Sequence, residues 1–449
     1  MATNPRSRRH GSADRRGVGR RLAFGAALGW LLAGCDAARS PTLELWAAGR
    51  EGEVVSELMP DFEARHPGLR VHVQQIPFLG AHEKLLTAVV GESAPDVAPL
   101  GNTWLPELAM IGALDPLDEA VAKSSVIRQS DYFEGIWDTN RYADRQYGVP
   151  WYVDTRILFY RRDLLREAGF DAPPADWGSW LKMLVALQQR FAERGEPDKT
   201  AIYLRLDEPE LLIALAQQHG EPLLRDGFRF GNFRGQGFRR ALEFYVNLFQ
   251  AGLAPQHGMT QIGNLWDEFA RGNFVFYVSG PWQLGELGRR LPPELRDSWA
   301  TAPLPGASGA GSSLALGSSL VVFSGSKHKA AAWSLIEYLS EPDIQRRFYE
   351  LTGDLPPRRE SWSGELFAGD PRVQAFRDQV ERMTPTAPVP EWERIAKEVA
   401  IISERAARGA FGVDEAVAEL DARTDRILEK RRWILERAAV AASAQGAER

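Results

Sequence analysis

Acidic and aromatic residues gather where three apolar runs of this 449-residue chain stop. "DVAPL" is followed by Asn102, Thr103 and Trp104, "TAIYLRL" by Asp207, Glu208 and Glu210, and "NFVFYV" by Ser279, Gly280, Pro281 and Trp282. A fourth group, Trp151, Tyr152 and Asp154, lies in "YGVPWYVDTRILFYRRDLLREAG", residues 147–169. A carboxylate accepts hydrogen bonds from hydroxyl groups, and such charge-assisted bonds contribute about 1.5–3 kcal/mol each. A tryptophan offers a broad apolar face with a single donor at its edge. Together these types suit an uncharged, hydroxyl-rich ligand that also has an apolar face.

Other chemistries lack their residues. Cys35 is the only cysteine, so neither a disulfide within the chain nor a thiolate metal centre can form. The histidines at 10, 66, 72, 82, 219, 257 and 328 show no close metal-ligand spacing. No GxSxG, Walker loop or GxGxxG after a strand is present. No metal and no cofactor are expected, and no catalytic residue is assigned. Scattered carboxylates still leave open a periplasmic glycoside hydrolase or lyase, the competing reading.

The elements that must position these residues alternate. Thr42 to Trp46 reads as a strand with Leu43 and Leu45 inward, Glu53 to Ala64 as an amphipathic helix, and Leu69, Val71 and Val73 as a second strand. Strand, helix, strand makes a βαβ unit with parallel strands. A helix from Ala81 to Val90 and the strand "PDVAPL" continue the pattern of an open α/β sheet. In such sheets ligands sit beyond the carboxyl ends of the strands, which selects the residues named above. Pro150 disfavours a central strand and marks a crossing between lobes. "PGASGAGSS" (305–313) and "TGDLPPRRESW" (352–362) mark two more, and the chain is helical from about Pro371. Trp266 and Trp333 fall on apolar helix faces and are assigned to the core. Asp207 is read as an N-cap for a helix beginning near Pro209, and Arg50 and Glu51 either as a helix start, the favoured reading, or as residues that reach the cleft.

The amino terminus is of another kind. Seven arginines and one aspartate within residues 1–21 precede an apolar run from Leu22 to Ala33, which is too short to span a bilayer. That is the build of a secretory signal peptide. Leu32-Ala33-Gly34-Cys35 resembles a bacterial lipobox, which implies cleavage after residue 34 and lipidation of Cys35. Two acyl chains suffice for stable anchoring where one does not. The full chain carries a formal −6, and loss of a leader worth +6 leaves −12. Such a chain is not a nucleic-acid partner, because phosphate binding needs concentrated positive charge.

Seven segments, among them "PDFEARHPGLRVHV", "EKLLTAVVGESAPDV", "FARGNFVFYVSGPW" and "GVDEAVAELDARTDRIL", resemble the extracellular solute-binding proteins of ABC sugar importers, the maltose-binding-protein group. The resemblance runs from about residue 42 to 428 in the family's order. It implies an α/β, two-lobed periplasmic-binding-protein fold with discontinuous lobes, 35–153 with 310–355 and 154–309 with 356–449. It further implies a non-enzymatic monomer that closes on a di- or oligosaccharide, an α-glucoside such as maltose or trehalose, and delivers it to a permease and ATPase. A lipid anchor at Cys35 would hold it to the inner membrane in the periplasm, or to the outer face of the membrane where there is only one. The carried-over positions are Thr103 and Trp104, Asp154, Glu208, Glu210 and Trp282. The family's carboxy-terminal aromatic pair aligns with Ala396 and Lys397, so Glu391 and Trp392, one turn earlier, are the expected substitutes. Asn102, Trp151, Tyr152 and Gly280 complete the expected ligand-binding set.

Overall fold

A computed structural model describes residues 41–256 and 264–437. Cys35 and the leader expected before it lie outside the described residues. Two sheets organise the chain. The first has five strands in the order Arg70–Ile76, Thr42–Ala48, Val97–Gly101, Leu316–Val322 and Val149–Asp154. Thr42–Ala48 runs parallel to both neighbours, opposite Arg70 at Thr42 and opposite Val97 at Leu45. Leu316–Val322 enters antiparallel. Leu43 and Leu45 are buried, and the helix Ala81–Val90 follows the expected bounds.

The helix expected over Glu53–Ala64 is instead three pieces: Gly49–Val54, a 3-10 turn Val55–Glu57, and Met59–Arg65. Pro60 explains the break. It lacks an N–H and crowds the preceding turn, so it is tolerated only where a helix begins.

The second sheet has four strands in the order Trp299–Ala302, Ile157–Arg161, Phe274–Ser279 and Thr200–Tyr203. All five residues of Ile157–Arg161 are buried. Ile157 and Phe159 pack into one apolar cluster while Leu158 and Tyr160 pack into another, so helices cover both faces of this sheet.

Pro150 does lie within a strand, Val149–Asp154, but that strand is at the sheet edge. Its register against Leu316–Val322 shifts between Ser318 and Ser319, opposite the proline, where a missing N–H costs least. Only Thr155 and Arg156 then separate Val149–Asp154 of the first sheet from Ile157–Arg161 of the second. The chain returns between Ala302 and Leu316, and a third irregular stretch after Thr352 carries Leu355 back to bridge Val153. No helix among the described residues is long and apolar enough to cross a membrane.

Candidate ligand-binding site

The strand ends open into two depressions. One is lined from the first sheet by Asn102, Thr103, Trp104, Trp151, Tyr152 and Asp154, with Glu51 and Ser318 beside them. The other is lined from the second sheet by Glu208, Trp282, Tyr203, Ser279 and Gln283. Arg156 and Glu210 line both, so the two depressions meet at these residues. Their free volumes are about 670 and 830 Å³ with the part open to solvent.

Arg156 was passed over in the sequence, and it is the centre of the arrangement. Its side chain is 8% exposed. Nη1 donates to both oxygens of Asp154, at 2.7 and 2.8 Å. Nη2 lies 3.4 Å from Glu208 and 3.8 Å from Glu210, and the guanidinium carbon sits 5.0 Å from the centroid of the Trp282 ring. The backbone is pinned by Ser313, whose Oγ accepts from the Arg156 N–H and donates to the Arg156 carbonyl. Burial works against the charge of this guanidinium, but Asp154, Glu210 and Glu208 outweigh it and push its pKa up. One signal was available: a basic residue inside the apolar run "YVDTRILFY" must be paired with acid if it is buried.

Burial likewise pushes the Glu210 carboxyl up to about 7, with Arg156 opposing the rise and Glu208 adding to it. Glu210 Oε2 and Arg156 Nε have no hydrogen-bond partner.

A second pair of acids borders the first depression through Glu51. Glu51 belongs to the first turn of Gly49–Val54, as the helix-start reading had it, and also lines the depression. Asp354, in "TGDLPP", was not singled out and is buried. Burial raises both carboxyl pKa values, and the neighbouring charges of Glu51 and Asp154 add to its effect on Asp354, which stands well above the ordinary carboxylate range.

The aromatic residues divide. Trp282, half-buried, starts the helix Trp282–Arg290 directly after Gly280 and Pro281. Gly280 is required there: a Cβ would stand 2.0 Å from the Trp282 ring and 2.5 Å from Asp154 Oδ1. Trp104 is half-buried, its ring 5.1 Å from that of His82. Trp151 is 2% exposed and stacks on Phe348 with centroids 4.3 Å apart, so it forms a wall more than an open face. Asn102 has its side-chain amide committed to the carbonyl of Ala315 at 3.0 Å.

Trp392 and Glu391 do not join this group. Trp392 is 3% exposed in the apolar cluster that also holds Leu158, Ile202 and Phe276 of the second sheet, and it begins a buried stripe through Ile395, Val399, Ile402 and Ala406. That three-and-four spacing marks a core face and was legible in the sequence. Glu391 lies in a separate depression, 3.7 Å from Arg431. Asp207 is not an N-cap either. It pairs with Arg205 at 3.2 Å, and the helix Glu210–Gln217 begins after Pro209 with no side-chain cap. Trp266 and Trp333 pack partly buried against core clusters.

Two α/β lobes, crossed by short segments and facing a cleft at their strand ends, define the periplasmic solute-binding architecture. The chain belongs to the bacterial extracellular solute-binding protein family, which it matches over residues 57–375. It is 50% identical to the solved sugar-binding protein MalE from the phytopathogen Xanthomonas citri, with a TM-score of 0.85 over 88% of this chain and 99% of that one. The GacH receptor of Streptomyces glaucescens, 24% identical with a TM-score of 0.75 over 86% and 98% of the two chains, shares the fold. The diacetylchitobiose binding protein DasA of Streptomyces coelicolor is 23% identical over 368 residues, covering 81% of this chain and 84% of that protein.

Proposed function

We propose that this chain is the substrate-binding component of an ABC sugar importer. It captures a neutral di- or oligosaccharide, with α-glucosides such as maltose and trehalose as first candidates, by closing its lobes, and hands it to a permease and ATPase. The observation that carries this reading is the meeting of acids and tryptophan from the strand ends of both sheets at Arg156 and Glu210. Sugar-binding relatives support it. A pyranose has a face of C–H groups for Trp282 and an equator of hydroxyls for Asp154, Glu208 and Glu210. Thr103, Trp104 and Tyr152 are assigned to a neighbouring ring. The lobes are assigned as 35–153 with 310–355 and 154–309 with 356–449, which strand membership in the two sheets supports. The mature protein is proposed to be a monomer beginning at a lipid-anchored Cys35, on the periplasmic side of the inner membrane.

Thermal-shift screening against a panel of neutral mono-, di- and oligosaccharides tests the reading. A rise in melting temperature with one class is expected, and no rise with any sugar overturns it. The hydrolase or lyase alternative has one specific point in favour, the Glu210 carboxyl pushed up to about 7 close to a second carboxyl, Asp154, two groups in unlike surroundings from which an acid and base pair can be built. Asp154 has both oxygens engaged by Arg156, which leaves it poorly placed for attack. Product analysis after prolonged incubation with disaccharides is expected to show no turnover.

A further inference from the structure

Among the described residues, Arg156 is the one that touches acids from both sheets while lining both depressions. Asp154 ends a strand of the first sheet, whereas Glu208 and Glu210 precede and open a helix after a strand of the second. Arg205, at 3.3 Å from Glu208 and 3.2 Å from Asp207, is the other cation in the cluster. Among these residues the acids outnumber the cations, so an amine-bearing ligand would be drawn in unless something already occupied the place of its ammonium group. Arg156 occupies it, bidentate to Asp154 and within reach of the other two. Its position does not depend on the ligand, because Ser313 holds its backbone and the link to either strand is one or two residues long.

Two atoms of this cluster are left without partners, Arg156 Nε and Glu210 Oε2, one a donor and the other a carboxyl oxygen. Both atoms are buried, so a ligand reaches them only as the cleft rearranges on closure, where hydroxyls can donate to Glu210 Oε2 and accept from the Arg156 Nε–H. An ammonium group has three donors and no acceptor, so it can do nothing for the Nε–H and adds a like charge beside the guanidinium.

We infer that Arg156 sets the charge class of the ligand: by holding Asp154, Glu208 and Glu210 as counter-charged acceptors, it admits neutral sugars and turns away amino sugars. Arg156 acts here as a positioning and specificity-determining residue. The inference rests on the sugar-binding reading and narrows it to uncharged saccharides.

The test compares two kinds of probe, the neutral disaccharides maltose and trehalose and the unacetylated glucosamine disaccharide at a pH where its amines are protonated. Calorimetry is run on the purified protein, on Arg156→Met and on Arg156→Lys. Arg156→Met is expected to lose about tenfold or more in affinity for whichever neutral disaccharide binds and to gain about tenfold for the amino disaccharide, as expected when an interior charge is left uncompensated. Arg156→Lys, which keeps the charge, should retain the preference for neutral sugar. In parallel, carbon-13 NMR titration of the sugar-free proteins should show the Glu210 carboxyl titrating at higher pH in Arg156→Met than in the parent, because Arg156 opposes its rise. Should the Met variant not fold, Arg156→Gln gives the same readouts. An unchanged ratio of affinities between the two probe classes overturns the inference. A parent protein that binds no neutral sugar at all sinks the sugar reading instead, while the carboxyl titration and the gain for the amino probe still judge the role of Arg156.

Discussion

At the scale of single residues, the cleft works through groups whose charge is set by their neighbours. Trp282→Ala would remove the face proposed to cover a sugar ring, with an expected loss of about 2–3 kcal/mol in binding, comparable to burying a large side chain. Calorimetry with the best sugar from the panel measures it, and the melting temperature of the sugar-free variant should stay near that of the parent because Trp282 is only half-buried. Asp154→Ala differs, because it strips the buried Arg156 of its bidentate partner as well as removing an acceptor. Both affinity and sugar-free stability are therefore expected to fall, and Asp154→Asn should do less damage, since it keeps an acceptor. The raised carboxyls make a prediction of their own. Glu210, Glu51 and Asp354 bind protons more tightly folded than unfolded, so the folded state holds more protons between the ordinary carboxyl value of 4.5 and the folded value of about 7 for Glu210. Stability then declines as pH rises through that window. Thermal melts of the sugar-free protein across the window should show falling midpoints, and Glu210→Gln should flatten the fall.

At the scale of elements, the site depends on how strands stop. The strand Phe274–Ser279 ends one residue before Gly280, and the helix Trp282–Arg290 starts two residues after it. The tight turn lays the tryptophan ring back over the glycine and against Asp154. Gly280→Ala is therefore expected to push the ring aside. Overpacking of this kind costs about 1–3 kcal/mol, so a loss of binding with a shift in tryptophan fluorescence is the expected result. Strand and helix identities were largely legible in the sequence, because alternation and three-and-four spacing are local properties. The strands at Thr42, Val97 and Phe274 and the helix at Ala81 all fall within a few residues of their expected places. What failed was punctuation. Pro60 split one expected helix, and Trp392 was read as a ligand contact although its own helix stripe marks it as core.

At the scale of the whole molecule, two sheets meet through links as short as Thr155 and Arg156, and the proposed contacts come from both. Saturating sugar is expected to draw the lobes together, since ligand contacts on both sides favour the closed state. A fall in the radius of gyration by X-ray scattering checks this, and an unchanged radius would count against closure. The sequence by itself determined the class of architecture and the residues at the strand ends. Both follow from periodicity along the chain and from the rule that open α/β sheets bind beyond their carboxyl ends. Tertiary structure alone decided which of those residues meet. Glu208 stands 52 positions from Arg156, a separation no local pattern encodes, and Arg156 joins it to Asp154 only because a two-residue link buries it between sheets. The Glu51 and Asp354 pair is of the same kind, with about three hundred residues of chain between its members. Burial and charge pairing are properties of packing, and packing brings together side chains whose separation along the chain carries no signal.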